Sequence, residues 1–255
     1  MNAIPQPKTH QIVDRINALQ AASPRFIDAS GITPLSREWR AIRHEIDQLM
    51  RVDACAAWEL MGSWRGLEGD IEGAEAAFRN SRALGQSDVS RENWMITRLN
   101  LGLFSAAQEI YRELTEPQTA DFMAIAQYGV LAGAIGRTAQ LIKRARATGF
   151  EWDDEMTRRV MEADSILIAA HFADERIARH LDTAGSVLRR HRLRASVVPH
   201  VTSEEGVFRG VTYLLNVPVS FEQAHDMNFE LVLEDVEADN VMDVAFDVHF
   251  AGVHA

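Results

Sequence analysis

The sequence predicts a mainly α protein in which an array of antiparallel helical hairpins precedes a small β-β-α-β module. Two observations carry this. From about Lys8 to Leu193, apolar residues recur at intervals of three and four, glycines fall between the segments, and no sustained two-residue alternation interrupts them. From Ala195 onward the text turns to β-branched and aromatic runs and closes on an alternating stretch. The expected division is therefore a helical domain over 1–195 and a small acidic α/β module over 196–255.

Taken in order, a first helix is expected over 8–21, with Thr9 available as its cap. SPRFIDASGITPL (23–35) follows, a long connection with two prolines that sets this helix apart from the main array. Further helices are expected over 36–51, 53–66, 71–85, 88–100, 104–115, 119–134, 137–148, 153–171 and 174–193. Ser36, Asp88 and Asp153 each offer a side-chain oxygen to the free amides of a first turn. VVPHV (197–201) and VFRGVTYLLNVPV (207–219), separated by the turn-like TSEEG, suggest an antiparallel hairpin. A helix over 220–239 then starts at the cap Ser220 and carries Phe221, Ala224, Met227 or Asn228, Leu231 and Val232 on one face. In VMDVAFDVHFAG (241–252), Met242, Val244, Phe246, Val248 and Phe250 fall on one side of a strand, with Asp243, Asp247 and His249 on the other. The order of the three strands stays open.

Within the helical part, AAWELMGSWRGLEGDIEGAEAAFRNSRALG (56–85) resembles the tetratricopeptide repeat. The resemblance rests on Trp58 and Gly62 in the first helix, Gly69-Asp70 at the turn, and Ala74, Phe78 and Ser81 in the second. Gly62 and Ala74 let two helices approach, while Trp58 and Phe78 fill the space above and below. About 33 residues on, Trp94, Met95, Gly102, Ala107, Tyr111, Leu114 and Pro117 repeat the pattern. Tyr128, Gly129, Ala132, Gly136, Ala139 and Ile142 give a third copy, so the best repeats span 53–149. Departures are Arg65 where the family usually has an aromatic residue, Gln86 where it has proline, and no large aromatic residue in the second helix of the third copy. The resemblance implies a right-handed array whose first helices line a groove for a partner segment. In the family register that groove presents Glu59, Ser63, Glu92, Ile96 and Asn100, a mildly acidic lining suited to a basic or neutral protein partner. A helical bundle with alanine-rich interfaces is the alternative architecture.

Charge is unevenly placed. The 255-residue chain carries a net −11. Residues 196–255 hold eleven acidic side chains against the single basic Arg209, whereas 137–195 are net positive. That asymmetry allows the acidic module, including Glu230 and Glu234, to cover a basic surface as an inhibitor, antitoxin or immunity-type protein would. The basic run RRHRLR (189–194) is short and stands alone, so nucleic acid is not an expected ligand; helix-dipole contacts or pairing with the acidic module explain it better. One cysteine, Cys55, and no secretory pattern or membrane-length apolar run point to the cytoplasm.

Catalytic signatures are scarce. No phosphate loop, dinucleotide fingerprint, nucleophile elbow, paired helical histidines or cysteine metal site is present, so no cofactor and no metal is expected. The one alternative is a hydrolase or transferase site built from Asp243, Asp247 and His249, whose simpler reading is the solvated face of an edge strand. The expected function is thus a protein-interaction adaptor, with a homo-oligomer left open.

Overall fold

A computed structural model describes residues 9–22, 25–27, 35–85, 88–114, 122–149, 154–204, 208–241 and 243–253. The described residues form eleven helices and one three-stranded mixed sheet. The helices are α1 (Thr9–Ala22), α2 (Arg37–Leu49), α3 (Ala54–Glu68), α4 (Ile71–Ala83), α5 (Asp88–Asn100), α6 (Phe104–Leu114), α7 (Phe122–Leu131), α8 (Ile135–Ala147), α9 (Glu155–Ala169), α10 (Asp174–Arg190) and α11 (Phe221–Glu237). The strands are β1 (Ser196–Glu204), β2 (Phe208–Val217) and β3 (Phe246–Gly252). Two compact units result: Met1–Leu101 with Arg192–Arg194, and Gly102–His191 with Ala195–Ala255. The division at 101/102 falls inside the second of the three proposed repeats. It also joins α6–α10 to the strands, where the sequence suggests a boundary at 195/196.

The first unit is organised by amphipathic helices closing on large apolar residues. Ile12 and Ile16 of α1, Trp39, Ile42 and Ile46 of α2, and Leu60 and Trp64 of α3 form one buried cluster. Trp39 and Trp64 stack at 4.2 Å between ring centroids. The helix α1 is therefore not set apart by the 23–35 connection. Phe26 and Ile27 of that connection are themselves buried, and Ile27 donates its amide to the Leu67 carbonyl at 2.8 Å.

The helices α3 and α4 are joined at Gly69-Asp70. Gly69 closes α3 in the left-handed conformation, φ 79°, and Asp70 caps α4 by accepting the Gly73 amide at 2.9 Å. A Cβ on Gly62 would lie 2.5 Å from the Phe78 ring, so glycine there is what lets the buried phenylalanine sit against α3. Phe78 in turn stacks on Trp94 of α5 at 5.7 Å. Arg98 of α5 makes a bidentate contact with Glu75 of α4 at 2.7 and 2.9 Å, and the Trp94 indole donates to the same carboxylate at 3.0 Å. Burial raises the Glu75 pKa, but the bonds from Arg98 and Trp94 outweigh it and leave this carboxyl below its ordinary value.

The second unit is assembled around α10. Its Asp182 accepts the amides of Phe104 and Ser105 at 2.6 and 3.1 Å, capping α6, and its Asp174 accepts those of Gly136 and Arg137 at 2.8 and 3.0 Å at the start of α8. Two helix N-termini are thus satisfied by carboxylates from another helix. Gly185 of α10 meets Gly102 backbone to backbone. In the sheet, β2 is central, antiparallel to β1 and parallel to β3, with α11 as the crossover. Val211, Tyr213, Leu215 and Val217 of β2 and Phe246, Val248 and Phe250 of β3 form its buried side, and the Tyr213 hydroxyl donates to the Val130 carbonyl of α7 at 2.8 Å.

Local boundaries differ from the sequence reading in several places. The cap of α9 is Asp154, which accepts the Thr157 amide at 2.7 Å; Asp153 lies outside the described residues, as do Pro117, Gln86 and Met242. Ser36 and Ser220 cap as expected, while Thr9 and Asp88 are themselves first helical residues. The last strand begins at Phe246, not at 241. Asp243 instead accepts the Ala245 amide at 3.0 Å in a local turn, and Val244 is 83% exposed rather than part of the inner face.

Candidate functional site

In the first unit, α1, α3 and α5 enclose a cleft of 260 Å³. Its walls follow from helical spacing: Ile96 and Asn100 of α5, four apart, share one side of their helix, whereas Trp94 and Arg98 face α4. Apolar lining comes from Val13 and Ile16 of α1, Leu60 and Leu67 of α3, and Ile96. Polar lining comes from Asn17, Gln20, Ser63, Asn93, Thr97 and Asn100. Every one of these polar groups is a neutral amide or hydroxyl, able to meet both the N–H and the C=O of an extended backbone.

Three residues of the expected groove, Ser63, Ile96 and Asn100, are therefore brought together. Glu59 reaches the same region indirectly, its carboxylate accepting the Asn93 amide at 2.6 Å. Glu92 does not line the cleft. The wall supplied by α1 was not foreseen, because the connection after it suggested separation. The end of α1 is held by Arg194, which donates to the Gln20 carbonyl at 2.9 Å and whose pKa burial lowers to about 10.

The basic run 189–194 is spent inside each unit. Arg192 and Arg194 donate to the Ile27 and Gln20 carbonyls of the first unit. In the second, Arg189 donates to the Gly102 carbonyl at 2.7 Å, Arg190 binds Glu230 and Glu234, and His191 meets Glu230 at 2.8 Å. Glu230 and Glu234, the two acids expected to contact a partner, pair with Arg190 at the end of α10, and Glu230 also with His191 just beyond it.

The second unit holds a polar arrangement that sequence spacing did not reveal. His180 of α10 is buried between Phe172 and Phe246, with Nδ1 3.3 Å from Asp235 of α11. Asp235 also accepts from Thr183 at 2.7 Å and Asn240 at 2.8 Å. Burial raises the Asp235 pKa, but the bonds from His180, Thr183 and Asn240 outweigh it and bring this carboxyl below its ordinary value. Fifty-five positions separate His180 from Asp235, so only tertiary packing joins them.

Of the catalytic alternative, Asp247 and His249 stand together on the exposed side of β3 at 3.1 Å, while Asp243 lies off the strand and 3.7 Å from Arg176. Among the described residues, no group of three or more His, Cys, Asp or Glu side chains is placed to hold a metal ion. A larger cavity of 410 Å³ between α7, α9 and β1 is lined mostly by apolar side chains, with Gln127 and the Glu155–Arg159 pair as its polar lining. No helix among the described residues is long and apolar enough to cross a membrane. No family model, curated protein or solved structure matches the chain.

Proposed function

We propose that this chain is a cytoplasmic protein-interaction adaptor, built on a tetratricopeptide-like hairpin, that holds an extended segment of a partner protein in the α1–α3–α5 cleft. The observation that carries the reading is the lining itself: six neutral hydrogen-bonding side chains interleaved with five apolar ones in a cleft of 260 Å³. A volume just below the range of about 300–1,000 Å³ typical of small-molecule pockets suits one anchoring side chain with its flanking backbone. The described lining residues carry no charge, which favours a neutral segment over a basic one. Recognition of a buried charged group would leave that charge without a counter-ion, which is costly.

Peptide display on the full chain tests this. Random linear peptides selected on the wild type are expected to share a short uncharged core. Asn100→Ala is expected to weaken a selected peptide by about ten-fold, the effect of losing one or two buried hydrogen bonds, and Ser63→Trp to abolish binding by filling the cleft. Selection of the same peptides with unchanged affinity on both variants would sink the proposal.

A further inference from the structure

The crossover helix α11 has two apolar faces. On one, Ala224, Met227 and Leu231 are buried, and Asn228 fastens the helix to β3 by donating to the Phe250 carbonyl at 3.0 Å and accepting its amide at 2.7 Å. On the other, Phe229, Leu233 and Val236 are 62%, 64% and 71% exposed, with Val232 beside them at 46%. Offsets of three, four and seven place these four on a single arc of about 100° directly opposite the buried face. A helix apolar on both faces belongs between two layers, and none of the described residues of the second unit supplies the second layer.

The surroundings of that stripe select its occupant. Glu230 and Glu234, on the flank toward α10, are occupied by Arg190 and His191. Helical geometry puts Asp226 and Glu237 along one border of the outward stripe and Glu222 within its arc toward the start of the helix, where the exposed His225 ring also meets Phe229 edge-on. Beyond Val232, on the other border, lies a cavity of 150 Å³ lined also by Asp247 and His249, and by Asp235, which is already bonded to His180, Thr183 and Asn240. Asp247 is more than half exposed there. The whole 196–255 segment offers one basic side chain, Arg209, on β2. A second copy of this chain presenting the same face would set carboxylates against carboxylates, so charge argues against self-pairing.

We propose that the outward face of α11 docks an amphipathic helix of another protein, one whose apolar stripe is bordered by lysines or arginines. The stripe supplies the apolar contact, in the helix-on-helix mode with anchors three, four and seven apart. The carboxylates on its two borders set register and speed association. The site is separate from the α1–α3–α5 cleft and stands or falls without it.

The test titrates the full chain with a leucine–lysine amphipathic helical peptide and with its leucine–glutamate counterpart, at low and high salt, alongside sedimentation velocity of the protein alone. The double variant Phe229→Ser/Leu233→Ser changes only exposed side chains. The proposal expects the basic peptide to bind wild type, to be weakened about ten-fold or more by the double variant, and to be weakened by salt, while the acidic peptide does not bind. It is overturned if the double variant binds equally well, if the acidic peptide binds as tightly, or if the wild type self-associates and the double variant does not, which would make a second copy the occupant.

Discussion

Gly185→Ala is expected to destabilise the second unit by about 3 kcal/mol or more, the upper end of what overpacking costs. A Cβ at position 185 would stand 2.0 Å from the Gly102 carbonyl oxygen and 2.8 Å from its carbon. Those are backbone atoms, and they cannot swing aside. Gly102 adopts φ 66°, a conformation reserved largely for glycine, and its carbonyl is held by Arg189 at 2.7 Å. Just beyond it, the Phe104 and Ser105 amides are tied to Asp182. Alanine would ordinarily favour a helix over glycine by about 1 kcal/mol, so the sign of the effect decides whether backbone contact dominates. Urea denaturation of the two proteins gives the answer; a midpoint unchanged or raised in Gly185→Ala contradicts this packing.

The second large effect is expected at Glu75. Its carboxylate joins α4 to α5 through Arg98 and the Trp94 indole, with the Glu75 and Arg98 side chains only 16% and 11% exposed. Glu75→Ala removes a bidentate ion pair and the indole bond from this largely buried joint, so it should cost about 2–4 kcal/mol at neutral pH. The pH dependence has a definite sign. The folded carboxyl titrates below its usual value near 4.5, so its contribution is complete above the unfolded pKa and is lost as pH falls through the lower folded pKa. The stability gap between wild type and Glu75→Ala should therefore be widest near neutrality and narrow in acid below about pH 4.5. A gap independent of pH would show that the ion pair is not its source. Because Trp94 and Arg98 seat α5, whose other side lines the cleft, the same variant should weaken peptide binding as well as stability.

The local elements were legible because their determinants are local. Helical periodicity, the Gly69-Asp70 turn and the caps Ser36 and Ser220 depend on residues within one turn of each other. Gly62 is legible as a point of close approach, but the sequence pairs it with Ala74, whereas the side chain that sits against it is Phe78. What escaped depends on distant partners. The joining of α1 to the core is decided by Trp39, Leu60 and Trp64, which its own periodicity does not name. The carboxylates Asp174 and Asp182 read as ordinary helical acids until α6 and α8 bring their amides to them. The strand over 241–252 failed at its first half because the Asp243 side chain captures the Ala245 amide and makes a turn where alternation alone suggested extension. Of the cleft lining, Ser63, Ile96 and Asn100 are among the residues that the register of the tetratricopeptide resemblance names, whereas Asn17 and Gln20 come from the helix that sequence places apart.

The central claim is that the α1–α3–α5 cleft is where a partner segment binds. Amide hydrogen exchange of the full chain, with and without a display-selected peptide at saturation, tests it most directly. The account predicts added protection in α1, α3 and α5, the helices carrying Asn17, Ser63 and Asn100, with no comparable change in β1–β3 or α11. Protection confined to the second unit, or absent from all three cleft helices, would contradict it.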